Sequence, residues 1–324
     1  MSKIVKIGNV SIGGGNKVAV QSMCNIKTSD AERVIGQIRE LEDVGCDVIR
    51  VSVKDEDDIN ALKTIKKNIR IPLVADIHFN YRYALKAIDA GVDKIRINPG
   101  NIGGENNVAE VAAAVKSSGV AVRVGSNSGS VEKELLKKYG KNEISLAESA
   151  LKNVAILEKF GVKNIVISAK ASNVPLTVRT YEYLHGKTNY PLHVGVTEAG
   201  TCNMGIVKSS IGIGSLLLKG IGDTIRVSLT APPREEIIAA KRILRCVGLD
   251  DNYVEVVSCP TCGRTEYDSI SLAKKVEELT AGIKKKLKIA VMGCVVNGPG
   301  EAADCDLGIA GGSGYCAFFK DGEV

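Results

Sequence analysis

Short runs of β-branched and other apolar residues alternate with amphipathic stretches along most of the chain. This alternation is typical of parallel βα units, in which each buried strand is followed by a helix that packs on the sheet. Eight runs predict strands, over residues 18–23, 47–53, 72–77, 94–98, 121–126, 164–169, 192–198 and 223–229. Eight units within about 230 residues predict a closed (β/α)8 TIM barrel, because a doubly wound sheet rarely contains so many.

The pattern differs at both ends of this repeat. Residues 4–20 alternate apolar and polar positions around Gly13-Gly14-Gly15-Asn16, which predicts a hairpin that turns at the glycines. Residues 233–248 predict the closing helix of the barrel, and the residues after it predict a strand at 254–257, a helix at 269–284 and a strand at 288–292. We therefore expect a substrate-binding barrel with its hairpin over residues 1–248 and a small α/β domain over 249–324.

Basic side chains stand at the ends of the predicted barrel strands. Reactive residues of a TIM barrel come from the C-terminal ends of its strands, and these ends carry Arg50, Arg96, Arg123, Lys170 and Arg226. A single Arg at such a position is usually the partner of a carboxylate. Asp76 and Glu198 are the clear acidic candidates at the same ends, and they are too few to pair with five cations. The sequence therefore predicts an anion, such as a diphosphate, in the barrel mouth.

Two glycine-rich loops strengthen this prediction. Residues 98–104 follow the fourth strand and residues 125–130 follow the fifth, and both offer backbone N–H groups that can receive phosphate. Each loop alone is more typical of a simple turn. The Asp76-Ile77-His78 segment has two interpretations, a catalytic one and a structural one in which the histidine is hydrogen-bonded in the barrel wall.

Composition argues against several classes of protein. The net charge is +6 with a pI near 8.7, but aromatic residues make up 4% and Trp is missing, so the stacking platforms of nucleic-acid binding are scarce. No apolar run is long enough to span a membrane, and the first residues lack the apolar segment of a signal peptide. We expect a cytoplasmic protein without nucleic-acid or membrane partners. Nine Cys residues in such a protein indicate reduced thiols or metal ligands.

Three of these thiols lie in two short motifs near the C-terminus. Cys259 and Cys262 are separated by two residues, and Cys294 begins a loop that runs to Glu301 through several Gly and Pro residues. A structural zinc site normally has four Cys or His ligands, and no His follows His193, so zinc is disfavoured. An iron–sulfur cluster bound by three Cys keeps one iron for a weaker ligand, for which Glu301 is the natural candidate. Cys305 and Cys316 are rival ligands.

The motifs Cys259-Pro-Thr-Cys-Gly-Arg264 and Gly293-Cys-Val-Val-Asn-Gly-Pro-Gly-Glu301 resemble the cluster signature of the 4-hydroxy-3-methylbut-2-enyl diphosphate synthase family. The resemblance spans essentially the whole chain. It implies a 4Fe-4S cluster held by Cys259, Cys262, Cys294 and Glu301. It also implies Glu198 as the catalytic acid/base, and substrate contacts from Arg50, Arg96, Asn98, Arg123, Asn127, Lys170, Arg226 and Ser228.

The same resemblance implies a reaction and its partners. The expected reaction is two-electron reductive ring opening of 2-C-methyl-D-erythritol 2,4-cyclodiphosphate to 4-hydroxy-3-methylbut-2-enyl diphosphate with loss of water. Flavodoxin or ferredoxin is the expected electron donor. Family members usually continue beyond Gly311-Gly312-Ser313-Gly314-Tyr315 with a further strand and helix, which this sequence does not include.

Chain geometry adds an expectation about assembly. The closing helix runs antiparallel to the strands, so it brings the chain to the barrel face opposite the strand C-termini, about 20 Å from the mouth. We therefore expect a homodimer in which each cluster domain caps the partner's barrel, which agrees with the family. Two rival hypotheses stay open here: a non-redox 4Fe-4S hydro-lyase acting on a phosphorylated substrate, and a phosphate-binding barrel that carries a structural zinc.

Overall fold

The computed structural model describes residues 1–324 except Glu266, Val295, Asn297, Ser313, Gly322 and Val324, and except the side chain of Pro299. Two residues of the second cysteine motif, Val295 and Asn297, therefore lie outside the described residues. The chain divides into two compact units, Met1–Val247 and Gly248–Val324. Among the described residues, no helix combines the length and the apolar character needed to cross a bilayer.

The first unit is a TIM barrel of eight parallel strands. The strands are β3 (Ala19–Met23), β4 (Val48–Val53), β5 (Leu73–Ile77), β6 (Lys94–Ile97), β7 (Ala121–Asn127), β8 (Ile165–Lys170), β9 (His193–Val194) and β10 (Thr224–Ile225). Their order is β8-β7-β6-β5-β4-β3-β10-β9. A parallel bridge between Ile167 and Leu192 joins the two ends, and the Ile167 N–H donates to the Pro191 carbonyl at 2.9 Å. The predicted fold class is confirmed.

The last two barrel strands are much shorter than predicted. Beyond Val194 the backbone leaves the ladder, and the Thr197 N–H donates to the Ala171 carbonyl in the loop after β8. The predicted strands 192–198 and 223–229 include these loop residues because their β-branched composition resembles that of a strand. The segments after Val194 and Ile225 instead form part of the rim of the barrel mouth.

Nine α-helices and one 3₁₀ turn connect the described strands of this unit. They are α1 (Ala31–Asp43), α2 (Glu56–Lys67), α3 (Tyr81–Asp89), the 3₁₀ turn (Pro99–Asn101), α4 (Glu105–Ser118), α5 (Lys133–Tyr139), α6 (Glu143–Lys159), α7 (Val174–His185), α8 (Cys202–Leu217) and α9 (Pro233–Cys246). Side-chain caps start several of them; the Asp55 carboxylate, for example, accepts from the Asp58 N–H at the start of α2. Apolar faces such as Leu62 and Ile65 of α2 pack onto the outside of the strands.

An N-terminal hairpin closes the bottom of the barrel. Strands β1 (Val5–Ile7) and β2 (Val10–Ile12) are joined by a tight turn at Gly8-Asn9, and Gly8 has a φ of 57°. The predicted turn at residues 13–16 was wrong, because those glycines instead link β2 to the first barrel strand. The hairpin forms a small core with side chains from the N-terminal ends of the strands: Val5, Ile7 and Ile12 with Ala19, Val48, Val74, Ala121 and Val166.

Over its described residues, the second unit is a four-stranded sheet with two helices. Its elements are β11 (Val254–Ser258), α10 (Ser269–Thr280), β12 (Leu287–Met292), α11 (Gly298–Ala302), β13 (Leu307–Gly312) and β14 (Tyr315–Lys320). The order is β11-β12-β13-β14, and only the last pair is antiparallel. Its small core includes Ala290, Met292, Ala310 and Phe319. Sequence patterning missed α11, β13 and β14, because α11 is very short and the glycines of β13 have low β-propensity.

Candidate active site: a cationic barrel mouth and a cysteine-bearing sheet edge

The strand register places alternate side chains on the inner face of the barrel. Arg96 pairs with Asp76 of β5 and with Arg123 of β7, and Asn127 pairs with Lys170 of β8. Successive side chains of a strand point to opposite faces of the sheet. These paired residues and every second residue from them along each strand therefore point into the barrel. The apolar core between the hairpin and the strands forms the floor of the barrel interior. Above this floor, the charged and polar residues that point inward are Gln21, Arg50, Asp76, Lys94, Arg96, Arg123, Ser168, Lys170, His193, Thr224 and Arg226. The structure thus brings together all five predicted strand-end cations.

Asp76 is bonded to two of these cations. Its Oδ2 lies 3.6 Å from Arg50 Nη1 and its Oδ1 accepts from Arg96 Nη1 at 3.2 Å. The His78 Nε2 atom lies 3.6 Å from Asp76 Oδ2, although half of the imidazole side chain is exposed. Burial alone would raise the pKa of Asp76, but Arg50, the nearby His78 imidazole, and Arg96 together lower it. Asp76 is therefore ionised in the folded protein and neutralises part of the arginine charge.

The second carboxylate of the mouth is Glu236, which sequence reasoning missed. It belongs to the first turn of α9, is 5% exposed, and lies 3.6 Å from Arg226 Nη2. Glu198, the expected partner, is exposed and forms no ion pair among the described residues. Glu236 lies eleven residues after the end of β10, in the first turn of α9, so its place at the rim depends on how α9 packs.

Cationic charge remains in excess inside the barrel. Within the part of the chain that the structure describes, Arg123, Lys170 and Lys94 have no carboxylate at ion-pair distance. The buried Nε atoms of Arg96, Arg123 and Arg226 have no hydrogen-bond partner among the described residues. Burial lowers the pKa of Arg50 to about 10 and lowers the pKa values of Arg123 and Lys170 well below their usual ranges, and neighbouring cations add to each shift. Such an arrangement is suited to a bound anion.

Lys94 is a further buried basic residue of the barrel, outside the five strand-end positions predicted from the sequence. Its side chain is 0% exposed, and its Nζ donates to Gln21 Oε1 at 2.8 Å. Burial, followed by the charges of Arg123 and Arg50, lowers the pKa of Lys94 well below the usual value. Lys94 and Arg96 are two residues apart on one strand, so alternation alone placed them on the same face. That signal was present in the sequence.

The remaining predicted substrate contacts lie on the rim. Asn98 caps the 3₁₀ turn by accepting from the Gly100 N–H, Asn127 is exposed at the end of β7, and Ser228 is half-buried after β10. Glu198 has a φ of 52°, an uncommon conformation for a residue with a side chain. Its loop is joined to the loop of Ser228, because the Thr230 N–H donates to the Gly200 carbonyl at 2.9 Å. Strained backbone of this kind is frequent at functional sites.

The predicted cluster ligands belong to one edge of the second sheet. Strands β11 and β12 are parallel, with Ser258 paired to Val291, so Cys259 and Cys294 both follow C-terminal strand ends at the same edge. The Gly293 N–H donates to Cys259 Sγ at 3.1 Å. A Cβ at residue 293 would lie 2.9 Å from Thr265 Oγ1 and 3.4 Å from Cys259 Sγ, so the two motifs touch where only glycine fits.

Two hydrogen bonds order the first motif. The Cys262 N–H donates to Thr265 Oγ1 at 3.2 Å and the Thr265 N–H donates to the Cys262 carbonyl at 3.0 Å. Cys262 is exposed, and Cys259 and Cys294 are half-buried. The thiols therefore lie at a surface-accessible edge.

Glu301 lies on α11, the helix that follows the second motif. A Cβ at Gly298 would come within 2.9 Å of side-chain atoms of both Met292 and Ala310, so this helix is pressed closely onto β12 and β13. Glu301 is exposed. Of the two rival ligands, Cys305 is buried in the core of the unit, whereas Cys316 is exposed on β14.

The described residues contain no group of three or more His, Cys, Asp or Glu side chains close enough to hold a metal ion. The donor set itself, three thiols and a carboxylate, suits an iron–sulfur cluster better than a single ion. Each iron of such a cluster takes its own protein ligand, so its ligands stand farther apart than those of one ion. The contact between Cys259 and Gly293 brings the two cysteine motifs together, which fits a cluster at this edge.

Fold and side chains define a TIM-barrel protein with a cationic mouth and a second α/β unit that carries thiols on one sheet edge. The chain belongs to the GcpE family: the model described as the GcpE TIM-barrel domain matches residues 2–241, and the GcpE protein C-terminal domain matches residues 255–324.

Two relatives are each named 4-hydroxy-3-methylbut-2-en-1-yl diphosphate synthase (flavodoxin). One, from Caldanaerobacter subterraneus subsp. tengcongensis, is 56% identical over 325 residues, which cover 100% of this chain and 92% of the relative. The other, from Clostridium tetani, is 56% identical over 321 residues and covers 99% of this chain and 92% of the relative. The predicted family is confirmed.

Solved structures with a similar fold are far more distant in sequence. Dihydropteroate synthase from Yersinia pestis superposes with a TM-score of 0.56 at 10% identity and covers 76% of this chain and 98% of its own. The enzyme from Coxiella burnetii has a TM-score of 0.53 at 13% identity and covers 77% of this chain and 100% of its own. At this level of identity the similarity shows the barrel fold alone.

Proposed function

We propose that this chain catalyses the two-electron reductive ring opening of 2-C-methyl-D-erythritol 2,4-cyclodiphosphate to 4-hydroxy-3-methylbut-2-enyl diphosphate. The names of its relatives support this activity. The observation that carries the proposal is the set of buried arginine Nε atoms without partners, on Arg96, Arg123 and Arg226, in a mouth with more cations than carboxylates. A cyclic diphosphate supplies the missing negative charge.

The barrel residues bind and orient this anion. Arg50, Arg96, Arg123, Lys170 and Arg226 neutralise the two phosphoryl groups, and Asn98, Asn127 and Ser228 bond to the remaining oxygens from the rim. Contact with phosphate raises the pKa of Lys170 again, because an opposite charge favours the ammonium form. Since these side chains are already held inside the barrel, little ordering is needed when the substrate binds.

Glu198 is the residue that we assign to proton transfer. It stands on the exposed rim loop, has no ion-pair partner among the described side chains, and is held in a strained conformation beside the Ser228 loop. A carboxylic acid there can deliver a proton to the oxygen that leaves as water. Ring opening leaves the diphosphate with one more negative charge than the substrate, and the surplus cations of the mouth stabilise that charge.

We assign residues 249–324 to cluster binding, with Cys259, Cys262, Cys294 and Glu301 as the ligands of a 4Fe-4S cluster. When bound, such a cluster supplies electrons one at a time. The Gly293 N–H donates to Cys259 Sγ and so orients the sulfur that would bind iron. Glu301, the only carboxylate in the assigned set, would be the weakest ligand of such a cluster and the one that exchanges most readily.

The relatives' names indicate flavodoxin as the electron donor, and ferredoxin is the alternative that we retain. Thiolate ligands persist in a reducing compartment, so we place the protein in the cytoplasm. Cell fractionation would test this location, and recovery mainly outside the cytoplasmic fraction would contradict it. Turnover assays with each reduced donor would separate flavodoxin from ferredoxin.

We propose a homodimer in which the cluster domain of one protomer serves the barrel of its partner. Helix α9 runs antiparallel to the strands and ends on the face opposite the mouth, about 20 Å away. Helix α8 also presents Met204, Val207 and Ile211 to solvent at one-turn spacings, an apolar face of the kind that a second copy covers.

The first experiment is an anaerobic absorbance spectrum with iron and sulfide analysis of the wild type beside Cys294→Ser. A brown wild type with about four irons per chain, lost in the variant, is the expected result. A colourless protein with stoichiometric zinc would contradict the cluster. Turnover of the cyclic diphosphate should then require a reductant, and product formed without reductant would point to a non-redox hydro-lyase instead.

Mixing two inactive variants tests the dimer. Glu198→Gln loses the barrel function and Cys294→Ser loses the cluster. If each cluster serves the partner's barrel, a mixed dimer has one site in which both parts are intact. Random exchange then restores about one quarter of wild-type activity. Activity that stays at zero in a mixture shown to contain mixed dimers would mean that each protomer uses its own cluster.

A further inference from the structure

Both carboxylate oxygens of Glu236 accept hydrogen bonds within the barrel unit. The Ser22 hydroxyl donates to Oε2 at 2.9 Å, and the Leu229 N–H donates to Oε1 at 3.1 Å. The same Oε1 lies 3.6 Å from Arg226 Nη2. Because only 5% of its surface is exposed, Glu236 is fixed mainly by these three contacts and has little access to water.

These contacts join three elements that are distant in sequence. Ser22 is on β3, Glu236 is on α9, and Arg226 and Leu229 enclose the segment that follows β10. Ser228, an assigned substrate contact, lies inside that segment. One carboxylate therefore restrains both ends of the segment, by its ion pair with Arg226 and by its hydrogen bond with the Leu229 backbone.

The ion pair leaves part of the Arg226 guanidinium available. Its Nε is buried and has no partner among the described residues, whereas Nη2 faces Glu236. A guanidinium presents its donors in a rigid plane, so fixing one nitrogen also fixes the direction of the others. Glu236 further contributes negative charge near Arg50 and Lys170, since it raises the pKa of each against the larger effect of burial.

We propose that Glu236 is a positioning residue for substrate binding: it orients the Arg226 guanidinium and the Arg226–Leu229 segment toward the diphosphate. This inference rests on the proposed function, because it assumes that the anion in the mouth is the cyclic diphosphate. Glu236 itself does not touch the substrate.

The test is the dissociation constant for the cyclic diphosphate, measured by anaerobic calorimetry on the cluster-loaded protein without reductant. Glu236→Gln keeps the side-chain volume and one acceptor oxygen but loses the charge that holds Arg226. Its dissociation constant should rise about tenfold. Glu235→Gln is the matched control, since it removes the same charge from the same helical turn and Glu235 has no ion-pair partner among the described residues. It should bind within about twofold of the wild type.

A double-mutant cycle separates positioning from general stability. Because Glu236 acts through Arg226, Glu236→Gln should add almost no further loss of binding in an Arg226→Gln background. If Glu236 only stabilised the fold, Glu236→Gln would lower the melting temperature. The loss of binding in the double variant would then be the product of the losses in the two single variants. Ser22→Ala, which removes only the hydrogen bond to Oε2, provides a second variant if Glu236→Gln folds poorly, and we expect its binding to weaken about threefold.

Each outcome has one meaning. If the wild type binds the cyclic diphosphate and both Glu236→Gln and Ser22→Ala bind it equally tightly, the positioning role is overturned and the proposed function stays intact. Losses that multiply in the double variant would also overturn it. Absence of binding by the wild-type protein would overturn the proposed function and this inference together.

Discussion

Gly195 and Lys170 approach each other so closely that residue 195 has no room for a side chain. A Cβ at Gly195 would lie 2.8 Å from Lys170 Nζ and 2.3 Å from the Arg226 carbonyl oxygen. The lysine can shift, but the backbone carbonyl cannot move without separating the segments after β9 and β10. The glycine therefore makes room for the ammonium group inside the mouth.

We expect Gly195→Ala to destabilise the protein by about 1–3 kcal/mol, the usual cost of overpacking, and to weaken binding of the cyclic diphosphate by displacing Lys170. Urea denaturation and calorimetry measure the two effects. Gly36→Ala is the control, because Gly36 lies inside α1 with no atom within 4 Å of an added Cβ. It should gain about 0.5–1 kcal/mol through helix propensity. Unchanged stability and binding in Gly195→Ala would contradict the prediction.

Asp76→Asn should remove the charge that holds Arg50 and Arg96 together. Because it leaves two largely buried guanidinium groups without a carboxylate, we expect a loss of about 3 kcal/mol in unfolding free energy at pH 7. The pKa of Asp76 is lower in the folded chain than in the unfolded chain, so its contribution is complete above about pH 4 and is lost as pH falls through the folded value.

The difference between wild type and Asp76→Asn should therefore stay constant from pH 8 to about pH 5 and shrink in stronger acid. Urea titrations across this range would measure it. Pyrophosphate should recover part of the lost stability, since it supplies negative charge to the same arginines. A difference that disappears already at pH 6 would be inconsistent with a lowered pKa.

Lys94 and Gln21 form a buried pair whose removal should stabilise the barrel. Lys94→Met combined with Gln21→Leu replaces both hydrogen-bonding partners by apolar groups, and we expect a gain of about 1–3 kcal/mol at pH 7. Lys94→Met alone should gain less, because it leaves the buried Gln21 amide without a partner.

The sign of the pH dependence follows from the lowered pKa of Lys94. The unfolded chain binds more protons than the folded one between the folded pKa and about 10.4, so wild-type stability from this group rises with pH in that window. The advantage of the double variant should consequently shrink between pH 7 and pH 10. A constant or growing advantage would show that Lys94 is charged in the folded protein.

Glu198→Gln should lower turnover by about 10²–10⁴-fold while the visible spectrum of the cluster stays unchanged. The amide keeps the shape of the side chain but cannot deliver a proton. Steady-state kinetics with reduced donor, together with the absorbance spectrum, would check both statements. Loss of the cluster in this variant would contradict the acid/base assignment, because Glu198 belongs to the barrel unit.

Gly293→Ala should reduce the iron content of the protein. The added Cβ would lie 2.9 Å from Thr265 Oγ1 and 3.4 Å from Cys259 Sγ, which pushes the two cysteine loops apart. Iron analysis of anaerobically purified protein measures the effect. Gly282→Ala is the control within the same unit, since nothing lies within 4 Å of its added Cβ. Equal iron in both variants would show that the contact between the loops is dispensable.

Local pattern determined much of this protein. The apolar runs predicted all eight barrel strands. A parallel strand that is buried on both faces is apolar along nearly its whole length, so its own sequence identifies it. The same alternation predicts that Arg96 and Lys94 share a face. The Gly and Pro residues of the second cysteine motif predicted a loop from Cys294 to Glu301, since these residues favour turns. The last part of this stretch is instead the short helix α11.

Tertiary structure decided which charges meet. Ser22 and Glu236 are 214 positions apart, and their hydrogen bond exists only because the barrel closes and α9 packs beside β3. For that reason the sequence suggested Glu198 as the partner carboxylate, although Glu236 holds Arg226. The hairpin turn at Gly8-Asn9 and the short strands β9 and β10 were likewise set by packing, in which the apolar floor of the barrel and the hydrogen bonds of the rim outweigh local propensity.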